Sequence, residues 1–93
     1  MKKKIDKLEN TAELLKVMAH PIRLKILENL IDNGPANVGS MQEKFHIPQP
    51  TVSSNLGNIR RAGLLISNRN GTEIYYKVEN EFILRLAKIL FKN

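Results

Sequence analysis

The sequence predicts a mainly α (α+β) fold of five helices and one two-stranded β-hairpin, in the order ααααββα. Three observations predict it. Apolar residues recur at the helical period through most of the chain. Two short helical stretches meet at a three-residue joint, His46-Ile47-Pro48, and Asn70-Gly71 lies between two runs of strand formers. Ninety-three residues are expected to form a single domain, 1–93, with no room for a separate catalytic, cofactor or sensor domain.

The first helix takes Ile5, Leu8, Leu15 and Met18 as apolar positions, with Ala12 and Leu14 between them. Its start is polar, and Lys2 to Lys4 with Lys7 make about residues 1–10 a basic arm expected to fray. His20-Pro21 punctuates the chain, because Pro presets a first helical turn and disfavours helix for the residue before it. The second helix has a broad apolar stripe of Ile22, Leu24, Ile26, Leu27, Leu30 and Ile31, with Arg23, Lys25, Glu28 and Asn29 expected outside. Asp32-Asn33-Gly34-Pro35 ends it with turn chemistry. Asn37 is a good N-cap for a short third helix through Val38, Met41 and Phe45.

Beyond the joint, a fourth helix runs from about Gln49 to Ala62, with Val52, Leu56 and Ile59 inward and Gly63 closing it. Leu64-Leu65-Ile66 and Ile74 to Val78 read as the hairpin strands. Glu79 to Asn93 returns to helix, with Phe82, Ile83, Leu86, Ala87 and Leu90 on one face and Leu84 and Phe91 beside it. Helix-turn-helix followed by a hairpin is a winged helix-turn-helix, here with an extra helix at each end. Those end helices hold more apolar surface than a small core absorbs. Leu8, Leu15, Phe82, Leu86 and Leu90 are therefore expected to line a homodimer interface.

Fifteen Lys and Arg against nine Asp and Glu leave a net charge of +6, which makes a polyanion, double-stranded DNA, the expected partner. The charged start resembles a secretion signal, but Asp6, Lys7, Glu9 and Asn10 interrupt at once the apolar run a signal needs. No run approaches the ~20 apolar residues of a membrane span, so a soluble, cytoplasmic protein with no membrane partner is expected. The absence of cysteine excludes a disulfide framework, a thiolate metal site and a thiol switch. His20 and His46 are isolated; the first is expected to help start a helix and the second to hydrogen-bond locally. The carboxylates are scattered, and there is no phosphate-binding glycine loop, nucleophile elbow or metal-ligand run. No enzyme, cofactor or metal is expected.

The fourth helix carries the chemistry. Pro50, Ser54, Gly57, Asn58 and Arg61 face out from it, with Thr51 and Ser53 at the flanks. An ordinary solvated helix would carry bands of Glu and Lys there. Short hydrogen-bonding side chains instead let the N-terminal end approach base edges in a major groove, where Gln and Asn read adenine with two bonds. The candidate DNA-binding residues are Gln49, Thr51, Ser53, Ser54, Asn55 and Asn58, with Arg60 and Arg61 at the helix end. Arg69, Asn70 and Thr72 join them at the hairpin tip, where Arg suits phosphates or a minor groove.

The stretch Leu14-Leu15-Lys16-Val17-Met18-Ala19-His20-Pro21-Ile22-Arg23-Leu24-Lys25-Ile26-Leu27 resembles the second-helix signature of ArsR/SmtB-type repressors. Gln49-Pro50-Thr51-Val52-Ser53-Ser54-Asn55-Leu56 and Arg61-Ala62-Gly63-Leu64-Leu65 resemble that family's recognition helix and its exit. Asn70-Gly71 to Ile74-Tyr75-Tyr76 resembles its wing, so the likeness covers roughly 11–91. It implies a bacterial or archaeal homodimeric repressor, dimerised through its first and last helices, with DNA contacts at Gln49, Ser53 and Ser54 and with Thr51 and the wing nearby. Many members sense metals through a Cys-Val-Cys box, whose thiolates would fall here on Asn37 and Gly39. Others use His and carboxylates on the last helix, but Glu79–Asn93 contains no His. Within the family, the Ala12-to-Ile26 stretch is similar to the metal-site-free, PagR-like regulators of virulence genes.

Two other readings fit the same fold and charge. A DNA-architectural protein would lack a high ratio of specific to non-specific affinity at fixed salt. A protein-interaction module, such as an antitoxin, would use its end helices for a different partner.

Overall fold

Proline, asparagine and glycine set most of the boundaries. The structure, a computed structural model, describes the backbone of residues 2–91 and the side chains of 6–91. The elements follow the predicted order: α1 Lys2–Met18, α2 Pro21–Asn33, α3 Val38–Phe45, α4 Gln49–Arg61, β1 Ile66–Asn70, β2 Glu73–Lys77 and α5 Glu81–Leu90. The backbone is helical from Lys2, where the sequence suggests a frayed arm over 1–10. No Gly or Pro interrupts α1, and its Lys, Leu and Glu residues favour helix. The side chains of Lys2 to Lys4, and the basic arm expected of them, lie outside the described residues.

Pro21 occupies the first position of α2, after an extended His20 whose ring makes no capping bond. Asn37 caps α3, its Oδ1 accepting the Ser40 N–H at 2.8 Å, and Asn80 caps α5 by accepting the Ile83 N–H at 3.0 Å. His46 ends α3 in the left-handed region (φ 57, ψ 42), a costly conformation for a residue with a Cβ. It makes none of the side-chain hydrogen bonds found among the described residues, so its part in the turn is conformational.

The exit from α4 is a Schellman turn. Gly63, at φ +82, donates its N–H to Arg60 O at 2.9 Å, and Leu64 donates to Ile59 O at 3.2 Å. The turn sends both Leu64 and Leu65 into the core. Two successive buried side chains cannot alternate across a pleat, so β1 begins at Ile66 and not at Leu64 as the apolar run suggests.

The two strands pair antiparallel from Ile66 with Lys77 to Asn70 with Glu73. The loop is therefore Gly71-Thr72, one residue later than the Asn-Gly signal implies. Gly71 alone there has positive φ (+70), the II′ pattern with Gly at the first central position. A further pairing has no local sequence signal: Ala36, between α2 and α3, bonds Tyr76 in both directions, at 3.1 and 2.8 Å. That bridge fastens the wing to the body.

The core gathers Met18, Ile26, Leu27, Leu30, Met41, Val52, Leu56, Ile59, Leu64, Leu65 and Ile83, drawing on all five helices. Truncating a fully buried Leu such as Leu56 to Ala costs about 2–5 kcal/mol in sites of this kind. Two polar side chains expected outside α2 lie within. Asn29 is 8% exposed, and its Oδ1 accepts from Lys44 Nζ at 2.6 Å and Asn33 Nδ2 at 2.9 Å. Arg23 is half-buried, because it stands in line with Ile26, Leu27 and Leu30 at the i+3, i+4 and i+7 spacing of one helix face. Among the described residues no helix is long and apolar enough to cross a membrane.

Candidate nucleic-acid interface

Val52, Leu56 and Ile59 are fully buried and fix which side of α4 is presented. On that side Gln49, Ser53, Ser54, Arg60 and Arg61 are exposed, while Thr51 and Asn58 are half-buried. Pro48 O accepts the N–H groups of Thr51 and Val52 at 3.0 and 3.1 Å, so the helix starts tightly without a side-chain cap. Gln49 stands at this start, followed by Pro50.

Near the other end, Arg61 donates from Nη2 to Asn58 Oδ1 at 2.6 Å. Its guanidinium lies back over Gly57, where an added Cβ would stand 3.2 Å from Nη1. The missing side chain at 57 makes room for a cation laid along the helix.

Asn55 departs from its expected role. It is half-buried, its Oδ1 accepting from Arg23 Nε at 2.9 Å and its Nδ2 donating to Thr51 O at 2.8 Å. Both ends of the amide are engaged inside the protein, and reading a base would require breaking those bonds. The signal was present in the wheel: at about 100° per residue, Asn55 sits on the inward flank of the stripe through Val52 and Ile59.

All five residues of β1 are exposed, including Arg69 and Asn70, and Thr72 is exposed in the loop. Asn37 Nδ2 donates to Glu73 Oε1 at 3.0 Å, so the cap of α3 also holds the wing near its tip. The ion pairs among the described residues are Lys16–Glu13, Lys77–Glu79 and Arg85–Glu81, none of which involves Arg60, Arg61 or Arg69. Between Glu43 and Glu73 the sequence contains no carboxylate at all, while Lys44, Arg60, Arg61 and Arg69 fall inside that stretch. Small hydrogen-bonding groups flanked by unpaired cations suit base edges flanked by phosphates.

Exposed apolar side chains also lie on each of the two end helices. Leu8 (62% exposed), Leu15, Phe82 and Leu90 are exposed, and Leu86 is half-buried. Ile89, 76% exposed, belongs with them and was missed, although it follows Phe82 at i+7. Among the described residues no group of three or more His, Cys, Asp or Glu is placed to hold a metal ion. Asn37 and Gly39, where family thiolates would fall, are the cap and second residue of α3.

Fold and surface together define a winged helix-turn-helix protein of the DNA-binding class. Residues 18–68 match the helix-turn-helix domain family. The chain is 43% identical over 83 residues to the transcriptional repressor PagR of Bacillus anthracis, covering 89% of this chain and 83% of that protein. It is 34% identical over 80 residues to the biofilm growth-associated repressor of Xylella fastidiosa, covering 86% of this chain and 69% of that one. The crystal structure of PagR aligns with a TM-score of 0.84 at 42% identity, over 92% of this chain and 98% of that chain. A homodimeric winged helix-turn-helix DNA-binding domain from Mycobacterium bovis, a possible ArsR-family regulator, aligns at 0.87 and 28% identity, over 98% and 83%. The chain belongs to the ArsR/SmtB-type winged helix-turn-helix transcriptional repressors, in their PagR-like branch. It is a regulator and not an enzyme.

Proposed function

We propose that the protein is a cytoplasmic homodimeric repressor that reads an imperfect inverted repeat, without a metal or thiol sensing site. The carboxylate-free stretch from Lys44 to Thr72, which includes all of α4 and β1, carries this reading: Gln49, Ser53 and Ser54 face outward, and Arg60, Arg61 and Arg69 are exposed as well. In this reading α4 enters the major groove and the wing follows the adjoining backbone. Leu8, Leu15, Phe82, Leu86, Ile89 and Leu90 close against a second copy, which brings two copies of α4 about 34 Å apart, one turn of DNA. Zinc, cadmium, arsenite and peroxide are then expected to leave DNA binding unchanged, because soft metals need thiolate or imidazole clusters and a peroxide switch needs a reactive thiol, while the sequence has no Cys.

The test is selection of duplexes from a random 30-mer pool, followed by affinity for the selected duplex and for a scrambled one at one salt concentration. A repeat with two half-sites, preferred by about a thousandfold or more, supports the reading. Equal affinity for both duplexes would make the protein architectural.

A further inference from the structure

We infer that Arg23 is a positioning residue for DNA reading, which fixes the rotation of α4 against the end of α1 through Asn55 without touching DNA. The inference rests on the proposed function above. Arg23 Nε donates to Asn55 Oδ1 at 2.9 Å, and its Nη1 donates to Val17 O at 3.2 Å in the last turn of α1. Asn55 in turn donates from Nδ2 to Thr51 O at 2.8 Å. One half-buried guanidinium thus joins three helices in an unbroken line of directional bonds.

The chemistry of the line favours geometry over charge pairing. None of the ion pairs among the described residues involves Arg23. Its attachments are a helix-end carbonyl and an amide oxygen, and the planar fork of an arginine donates to both in fixed directions. The cation also suits the negative end of the α1 dipole. Val52, Leu56 and Ile59 fix which side of α4 faces the core through non-directional apolar burial, and the bonds to Arg23 add fixed directions to it. Side chains stand about 5–6 Å from a helix axis, so a 10° roll moves their ends by roughly 1 Å. That displacement is enough to spoil hydrogen bonds whose useful range spans about half an ångström. The bonds lie on Thr51 and Asn55, which bracket Ser53 and Ser54 on α4. Arg23 therefore sets where the reading groups point, and sets it relative to the helix proposed to meet the second copy.

The test compares wild type, Arg23→Lys, Asn55→Ala, the double variant and Asn55→Asp on the wild-type-selected duplex and its scrambled control, at one salt concentration. Arg23→Lys and Asn55→Ala are each expected to lower the selected-to-scrambled affinity ratio about tenfold, with scrambled affinity held within about twofold. The double variant is expected to fall no further than the singles, because both remove one link. Asn55→Asp keeps an acceptor for Arg23 and is expected to retain the ratio within about threefold, whereas a carboxylate facing DNA would abolish binding. A proton NMR spectrum of the free protein supplies a readout apart from DNA: the Arg23 Nε–H signal is expected to shift in Asn55→Ala and persist in Asn55→Asp.

An unchanged ratio in both single variants overturns the proposal, as the bond is then merely structural. Losses that multiply in the double variant, or loss of binding in Asn55→Asp, also overturn it by placing Asn55 on DNA. A wild type that prefers no selected duplex overturns the proposed function and this role with it, and that result is read from the wild type alone.

Discussion

Helices α4 and α5 follow one plan, with one side in the core and the other open, and they differ in what the open side carries. On α4 it carries Gln49, Ser53, Ser54, Arg60 and Arg61. On α5 it carries Phe82, Ile89 and Leu90, and Arg85 there is paired with Glu81. The inner sides are alike: Val52, Leu56 and Ile59 on one, Ile83 and Ala87 on the other. Burial therefore explains why each is a helix, while the outer side separates their roles. Small polar groups and unpaired cations keep α4 suited to a hydrated polyanion. An apolar stripe gives α5 a reason to leave water, and a second copy of the same stripe is its proposed partner.

The largest expected effect breaks this comparison outright. Phe82→Glu gives α5 a charge where the stripe is apolar, and burying an unpaired carboxylate costs several kcal/mol. Sedimentation at micromolar concentration is expected to show a monomer, with affinity for the selected duplex down by about a hundredfold or more as one half-site is lost. An unaltered dimer would place the interface elsewhere. On α4, Gln49→Ala is expected to lower affinity for the selected duplex by about 1–3 kcal/mol and to leave scrambled DNA nearly unaffected. Equal loss on both duplexes would remove Gln49 from base reading.

Arg69→Ala sharpens the contrast on the wing. Binding to every sequence is expected to weaken, with the slope of log affinity against log salt falling by about one unit for the lost phosphate contact. An unchanged slope would free Arg69 from that role. The smallest effect concerns the joint: His46→Gly relieves a left-handed residue and is expected to raise stability by about 1 kcal/mol in urea unfolding. DNA affinity should stay as it was, because the exposed side of α4 is untouched.

What the sequence discloses is what neighbouring residues decide. Pro21, Asn37, Pro48, Gly63 and Gly71 act within a turn of their own positions, so all five helices and the hairpin were legible in order. The stripe through Val52, Leu56 and Ile59 was legible for the same reason, and it directed attention to Gln49, Ser53 and Ser54. What stayed hidden depends on residues far apart in the chain. Arg23 meets Asn55 across 32 positions, Asn37 meets Glu73 across 36, and Ala36 pairs with Tyr76 through backbone atoms alone. Polarity is also a poor guide to burial: residue type puts Arg23 and Asn29 outside, although Arg23 shares a helix face with Ile26, Leu27 and Leu30. The onset of β1 was misplaced because Leu64 and Leu65 look like a strand and are core.

Strand β1 has five side chains and buries none of them, while Ala36 holds its partner strand through main-chain atoms. Replacing Ser67, Asn68, Arg69 or Asn70 therefore opens no cavity and crowds no neighbour in the core, and the tether to the body does not depend on what those residues are. The wing is free to drift. Under the proposed reading, a lineage of such proteins changes the flanking DNA it favours through substitutions at Ser67, Asn68 or Asn70, while Arg69 keeps its phosphate. Helix α4 has less of that latitude, because Asn55 is tied back to α2 through Arg23. Divergence between relatives with different operators should therefore accumulate in the wing before it reaches the recognition helix.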